Sequence, residues 1–205
     1  MEYSNKIVKT LTKGGIGILP TDTLYGLVGS AMNKQTVEKI YKIRKRAPQK
    51  PMIILISSLE NLKKFNINLT KPNKIFLKNL WPNPVSVILP CENKNFEYLH
   101  RGTKTLAFRI PNNKELLNLI QLTGPLIAPS ANFEGEKPSK NIDDAKKYFG
   151  NNVDFYVDAG ILDSPPSTLI KMDGEKITIL RQGSFSFAKK EFKKDSFKLK
   201  ENQIS

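Results

Sequence analysis

The period of the apolar positions changes several times along the chain, and each change predicts an element. Residues 2–13 put Ile7, Val8 and Leu11 on one helical face, and Gly14-Gly15 supplies a stop. A short buried strand over 16–19 ends at Pro20 and opens into 21–30, read as a loop rich in hydroxyls and glycines. Over 34–46, Val37, Ile40, Tyr41 and Ile43 recur at helical spacing and run into a basic end. The continuous apolar run 52–56 marks a strand covered on both faces. Helices near 58–65 and 72–80 follow, the second closing at Trp81-Pro82.

Strands are expected next over 85–89 and 105–110, with a polar loop holding Cys91 and His100 between them. A helix over 114–122 stops at Gly124, and a strand over 126–128 runs into Pro129-Ser130-Ala131-Asn132. The Gly/Pro-rich loop 133–140 leads to a helix over 142–149, and strands over 168–171 and 176–180 flank Asp173-Gly174, a hairpin signal. With strands and helices interleaved and no repeat or linker, one α/β domain over 1–184 is expected, a twisted mixed β-sheet flanked by helices. Residues 185–205 form a Lys/Phe-rich tail, read as a surface helix or a solvated extension.

Composition removes much familiar enzymology. No apolar run approaches the roughly 20 residues of a membrane-spanning helix, and the polar first fifteen residues do not read as a secretory signal. The expected setting is therefore cytoplasmic, without a membrane. One cysteine, Cys91, excludes an internal disulfide and a Cys-built zinc site, and is read as a buried filler. One histidine, His100, excludes a His-cluster metal site and is read as solvated. The formal charge is +14, which suits a polyanion partner, yet 28 Lys against 5 Arg beside 18 Asn and 20 Ile is also what an AT-rich coding sequence produces. The scarcity of Arg is more informative. Arg44, Arg46, Arg101, Arg109 and Arg181 each stand where a planar, forked donor gives a reason to resist Lys.

Hydroxyl, amide and cationic residues collect where apolar strands end, the usual place for ligands in an open α/β sheet. Pro20-Thr21-Asp22-Thr23-Leu24-Tyr25-Gly26-Leu27 suits a small polar ligand, and an ordinary capped loop explains it equally well. Four cations lie within 44–50, either completing a helix C-terminus or clamping phosphate oxygens. Strand alternation puts Thr105, Ala107 and Arg109 on one face, where Arg109 requires an anion, from the protein or from a ligand. Ser130 and Asn132 offer uncharged donors and acceptors, and no base accompanies Ser130.

Seven motifs in one order carry a resemblance. They are P-T-D-T-L-Y-G-L at Pro20, R-x-R at Arg44 with K-P at Lys50, L-W-P-x-P-V-S at Leu80, L-A-F-R-x-P at Leu106, A-P-S-A-N at Ala128, S-T-L-I at Ser167 and I-L-R-Q-G at Ile179. Together, over about residues 5–184, the chain resembles the YrdC-like family of threonylcarbamoyl-AMP synthases. The resemblance implies a twisted α/β sheet with a basic concave face. It also implies a nucleotidyltransferase that makes threonylcarbamoyl-AMP and pyrophosphate from L-threonine, bicarbonate or CO2, and ATP. A separate transferase complex then modifies the adenosine beside the anticodon of ANN-decoding tRNAs.

By motif, Thr23, Arg109, Ser130 and Ser167 would contact threonine, and Arg46, Lys50, Thr105, Asn132, Lys140 and Arg181 would contact ATP. Arg44, Arg46 and Lys50 would offset charge on the departing pyrophosphate. Mg2+ would arrive on ATP, with no protein ligand expected. Three departures stand out. Arg44 occupies a position where Lys is common, the chain is too short for the second domain of longer members, and the tail has no counterpart. A non-catalytic module binding tRNA or double-stranded RNA through a basic face is the alternative, although it leaves these residues without a purpose. A carbamoyl-phosphate domain of hydrogenase maturation proteins is a further relative, but such chains carry Cys-rich zinc modules.

Overall fold

Helix signals in this chain are largely asparagines. Asn33, Asn113 and Asn141 each accept a bond from the backbone N–H three residues on, at 3.1, 2.9 and 2.8 Å. They cap α2 (Lys34–Ile43), α5 (Lys114–Thr123) and α6 (Ile142–Phe149). Thr70 caps α3 (Lys71–Leu80), whose first turn contains Pro72. The remaining helices are α1 (Asn5–Thr12) and the one-turn α4 (Glu97–His100). The computed structural model describes residues 3–187 and the backbone of 198–201.

Ten strands among these residues form one mixed sheet. They are β1 (Ile16–Pro20), β2 (Tyr25–Ser30), β3 (Ile53–Leu55), β4 (Val85–Pro90), β5 (Thr105–Arg109), β6 (Leu126–Ile127), β7 (Phe155–Tyr156), β8 (Thr168–Asp173), β9 (Lys176–Arg181) and β10 (Lys198–Glu201). Their order is β10-β9-β8-β4-β5-β3-β6-β2-β1-β7. β3 runs parallel to β5 and β4 parallel to β8, while β4 and β5 are antiparallel. On one face α1 and α5 cover Leu19, Val28, Leu55 and Leu126. The other core contains Ile18, Leu27, Ile40, Phe65 and Phe108. This is the single α/β sheet that the interleaved pattern predicts.

Several boundaries differ from expectation for identifiable reasons. The supposed loop 21–30 is mostly β2, paired with β1 from Ile16↔Gly29 to Pro20↔Tyr25. Its Gly29 permits close approach rather than a turn, because a Cβ there would stand 2.5 Å from Thr36 Cγ2 and 2.9 Å from Ile16 Cγ2. The helix expected over 34–46 ends at Ile43, and Lys45 has a positive φ of 51°. Leu59–Phe65 forms a 3-10 rather than an α-helix. The loop between β4 and β5 contains α4. The expected hairpin forms one residue further on, with Asp173 paired to Lys176 and the turn made by Gly174-Glu175, Gly174 at φ 58°.

His100, expected in solvent, is buried, and its Nδ1 accepts from the Gly102 N–H at 3.1 Å. Cys91 is buried, with Sγ 3.7 Å from Phe65 O, as a filler should be. In the tail, residues 198–201 add an edge strand parallel to β9 rather than a helix. The readings for 188–197 and 202–205 lie outside the described residues. No helix among the described residues is long and apolar enough to cross a membrane.

Phe65 joins the loops to the sheet core. Its ring is fully buried, with ring centroids 5.3 Å from Phe96 and 5.0 Å from Phe108. Phe65→Ala should cost about 3–5 kcal/mol of stability. A urea denaturation midpoint within error of wild type would contradict this packing.

Candidate functional site

Two adjoining hollows of about 330 and 370 Å3 open where β1, β5, β6 and β9 end. Arg44, Arg46, Ser130 and Arg181 line both. Thr23, Arg109, Asn132 and Ser167 line the first, and Thr105 lines the second. Nine of the expected site residues therefore converge on one cleft. Lys50 and Lys140 line neither hollow; each holds an acid, Glu134 and Asp163 respectively, at 2.7 Å.

The first hollow is built around Arg109, which is 4% exposed at the end of β5. Its Nη2 lies 3.2 Å from Asp22 Oδ1, and its Nη1 donates to Thr23 Oγ1 at 3.3 Å. Asp22 is itself fixed by the Asn112 N–H, which donates to Oδ2 at 3.0 Å. Burial disfavours the guanidinium charge and Asp22 sustains it, while nearby Arg181 opposes it. Arg109 Nε is buried without a hydrogen-bond partner among the described residues. Arg109 lines a hollow rimmed by Thr23, Ser130 and Ser167, and a guanidinium among hydroxyls is equipped to receive an anionic oxygen.

Ser130 is held by strand-like pairing. It bridges to Gly26, while Leu27 N donates to Pro129 O at 2.9 Å and Ala131 N donates to Tyr25 O at 2.8 Å. Ser167 Oγ lies 3.0 Å from Ser86 Oγ, which assigns a role to the final serine of L-W-P-x-P-V-S. Arg181 donates through Nε and Nη2 to Ser167 O at 3.3 and 3.0 Å.

The basic segment differs from a row of free cations. Arg44 is buried, and its Nε donates to Asn132 O at 2.9 Å. Its Nη2 reaches Asn132 Oδ1 at 3.3 Å and Ser130 Oγ at 3.5 Å. Burial first, then Arg46, pulls its pKa down to about 10, so it remains a cation at neutral pH. The fork expected to face phosphate therefore faces the A-P-S-A-N loop and positions two of its members. Arg46 donates to Lys50 O at 3.0 Å and Pro51 O at 2.9 Å. Asn132 Nδ2 donates to Phe133 O at 2.7 Å and Glu136 O at 2.9 Å, so its amide is engaged within the loop as well.

Two acids of the site escape a reading based on residue type alone. Asp22 lies within P-T-D-T but looks like a cap, and nothing local pairs it with Arg109, 87 positions away by subtraction. Glu134 lies in a loop with other charges, and its partner Lys50 is equally remote in sequence. Among the described residues no group of three or more His, Cys, Asp or Glu side chains is placed to hold a metal ion. The cleft presents three guanidinium groups common to its hollows (Arg44, Arg46 and Arg181) with Arg109, hydroxyls and an amide, alongside the carboxylates of Glu134 and Glu136.

Comparison with known proteins agrees with this architecture. A family model for the Sua5/YciO/YrdC domain, described as "Telomere recombination", matches residues 9–183. A protein of Methanocaldococcus jannaschii named putative threonylcarbamoyl-AMP synthase is 31% identical over 176 residues, covering 85% of this chain and 83% of that protein. The threonylcarbamoyl-AMP synthase of Bacillus subtilis is 30% identical over 184 residues, covering 86% of this chain. This chain spans about half the length of that relative, 52%. The crystal structure of P. abyssi Sua5 complexed with L-threonine superposes with a TM-score of 0.84 at 25% identity, covering 95% of this chain and 58% of that one.

The Arg109–Asp22 pair generates a stability test. Asp22→Ala leaves a buried cation without its acid and should destabilise the fold by about 3–5 kcal/mol. Adding Arg109→Met to Asp22→Ala should recover part of that loss, read from denaturation midpoints. Strictly additive losses would show that the two charges do not depend on each other.

Proposed function

The chain belongs to the Sua5/YciO/YrdC family, and on that footing we propose that it is a threonylcarbamoyl-AMP synthase. The observation that carries this reading is the buried Arg109 in a hydroxyl-rimmed hollow adjoining a second one lined by Thr105, with Arg46 and Arg181 lining both. The first hollow suits a small amino acid, its carboxylate on Arg109 and its hydroxyl among Thr23, Ser130 and Ser167. The second suits a nucleotide. The L-threonine complex of a relative with the same fold supports the assignment.

Carbamate formation joins threonine's amine to CO2 and releases a proton. A carbamate oxygen then attacks the α-phosphorus of ATP, forming the new P–O bond as the bond to the β-phosphate bridging oxygen breaks. Pyrophosphate leaves with that electron pair. Such a transfer needs alignment and charge neutralisation rather than a protein nucleophile, consistent with a chain that has one His and one Cys. Arg44 orients Asn132 and Ser130, Arg109 anchors the amino acid, and Arg46, Lys50 and Arg181 receive phosphate charge. Mg2+ arriving on the ATP phosphates would supply further charge neutralisation there.

The product, a mixed carbamic–phosphoric anhydride, suits a cytoplasmic tRNA-modification pathway in which a separate complex transfers the threonylcarbamoyl group. A pure RNA-binding module accounts poorly for the buried Arg109, because RNA backbones dock on exposed cations. Pyrophosphate release from ATP should depend on L-threonine and bicarbonate, with the threonylcarbamoyl adenylate seen by rapid mass spectrometry. Release without threonine would redirect the assignment to another acceptor. Arg109→Lys keeps a charge beside Asp22 but loses the fork. It should raise the KM for threonine roughly 10- to 100-fold, as loss of a charged hydrogen bond of about 1.5–3 kcal/mol requires.

A further inference from the structure

The basic segment 44–51 bonds within itself and to the loop that begins at Asn132, and these bonds differ in one respect, the charge of the acceptor. Arg44 donates to the carbonyl and amide oxygens of Asn132, and Arg46 donates to the carbonyls of Lys50 and Pro51. Tyr41 Oη adds a further bond to Lys50 O at 2.8 Å. All these acceptors are neutral, so they orient the cations without cancelling their charge. Lys50 differs: its Nζ donates to Glu134 Oε1 at 2.7 Å, and Glu134 Oε2 accepts from the Ala47 N–H. One carboxylate thus takes an ammonium and a backbone amide of the segment, the donor types with which proteins bind phosphate oxygens.

The surroundings allow this carboxylate to leave. The pair borders solvent, with Lys50's side chain 59% exposed and Glu134's 21% exposed. Glu134 N remains fixed to Arg44 O at 2.9 Å, while the next residue, Gly135, has φ 87° and nothing within 4 Å of where a Cβ would stand. The Lys50 contact, then the Ala47 N–H, hold the Glu134 carboxyl below the usual glutamate range, so it is charged at neutral pH. Glu134 also lines the first hollow, on the side of Arg46 and Asn132.

We propose that Glu134 is a resident anion of the phosphate-binding segment, holding Lys50 and the Ala47 N–H in the empty site and yielding them to the phosphates of the nucleotide. This rests on reading the cleft as an ATP site and adds a specificity element to it. A ligand must carry enough charge to displace a carboxylate, so polyphosphates are admitted and singly charged anions are not.

Inorganic pyrophosphate is the probe, titrated calorimetrically into wild type, Glu134→Gln, Lys50→Gln and the double variant, each checked by thermal melting. Gln keeps an acceptor for the Ala47 N–H while removing the charge. Glu134→Gln should bind pyrophosphate about three- to tenfold tighter, from loss of one ion-pair competitor and one like charge. That gain should vanish in the Lys50→Gln background. In the wild type, the 13C carboxyl resonance of Glu134 should move on saturation with pyrophosphate, a readout that needs no variant. Unchanged or weaker binding by a folded Glu134→Gln protein, or an unmoved resonance in a protein that binds, overturns the proposal and leaves Glu134 a structural latch. No pyrophosphate binding by any of the four proteins overturns the ATP-site reading and this proposal with it.

Discussion

Arg109 stands on β5, in the middle of the sheet, where an uncompensated cation would cost several kcal/mol. Its acid, Asp22, comes from the segment between β1 and β2, on the far side of β3 and β6 in the strand order. Pairing them therefore fixes the loop after β1 against the end of β5 across the intervening strands. The same contact brings Thr23 and Thr21 onto the guanidinium and aims the hydroxyl-rich loop into the cleft. A buried charge pair contributes little net stability, but it penalises arrangements that separate the two groups. That is how a site assembled from remote loops retains one geometry.

The rest of the cleft follows from close backbone approaches around this pair. Gly183 lies where a Cβ would stand 2.1 Å from Pro166 O and 2.5 Å from Ser167 C. This contact sets the end of β9 against the start of β8, so that Arg181 can bond Ser167 O. On the opposite wall, Arg44 at the end of α2 bonds the loop after β6, carrying the helix's position into that of Ser130 and Asn132. Helix, strand ends and loops thus meet through guanidinium groups that bond carbonyls, and the same residues line the hollow.

How far the sequence carried this picture depended on whether a feature's cause was local. The apolar run at β3 and the alternation on β5 are local signals that appear where expected, and the hairpin signalled by Asp173-Gly174 forms one residue further on. The strand β2 was hidden because Gly26 and Gly29 read as turn residues; Gly29 instead makes room for Thr36 of α2 and Ile16 of β1. Motif order brought nine of the expected residues to one cleft, since the motifs sit at strand ends. Their hydrogen-bond partners were not legible. Nothing local distinguishes an Arg44 that grips Asn132 from one that faces a phosphate, or shows that Lys50 holds an acid 84 residues away.

The five arginines bring composition and geometry together. In a chain with 28 lysines, drift toward Lys is easy, so each remaining Arg needs a contact that an ammonium cannot make. Arg44 bonds a carbonyl through Nε and an amide oxygen through Nη2, and Arg46 spans two successive carbonyls. Arg181 places two nitrogens on one carbonyl oxygen. Arg109 touches an acid through Nη2 and a hydroxyl through Nη1. Arg101, outside the cleft, holds its guanidinium carbon 3.9 Å from the Tyr41 ring centroid while pairing with Glu38 at 3.0 Å. Four of the five use the planar, multi-donor shape around the hollow. A bias of composition supplies positive charge anywhere on the surface; it does not supply forks at one place. The site is therefore marked by the kind of cation it retains, whereas the net charge of +14 belongs to the chain as a whole.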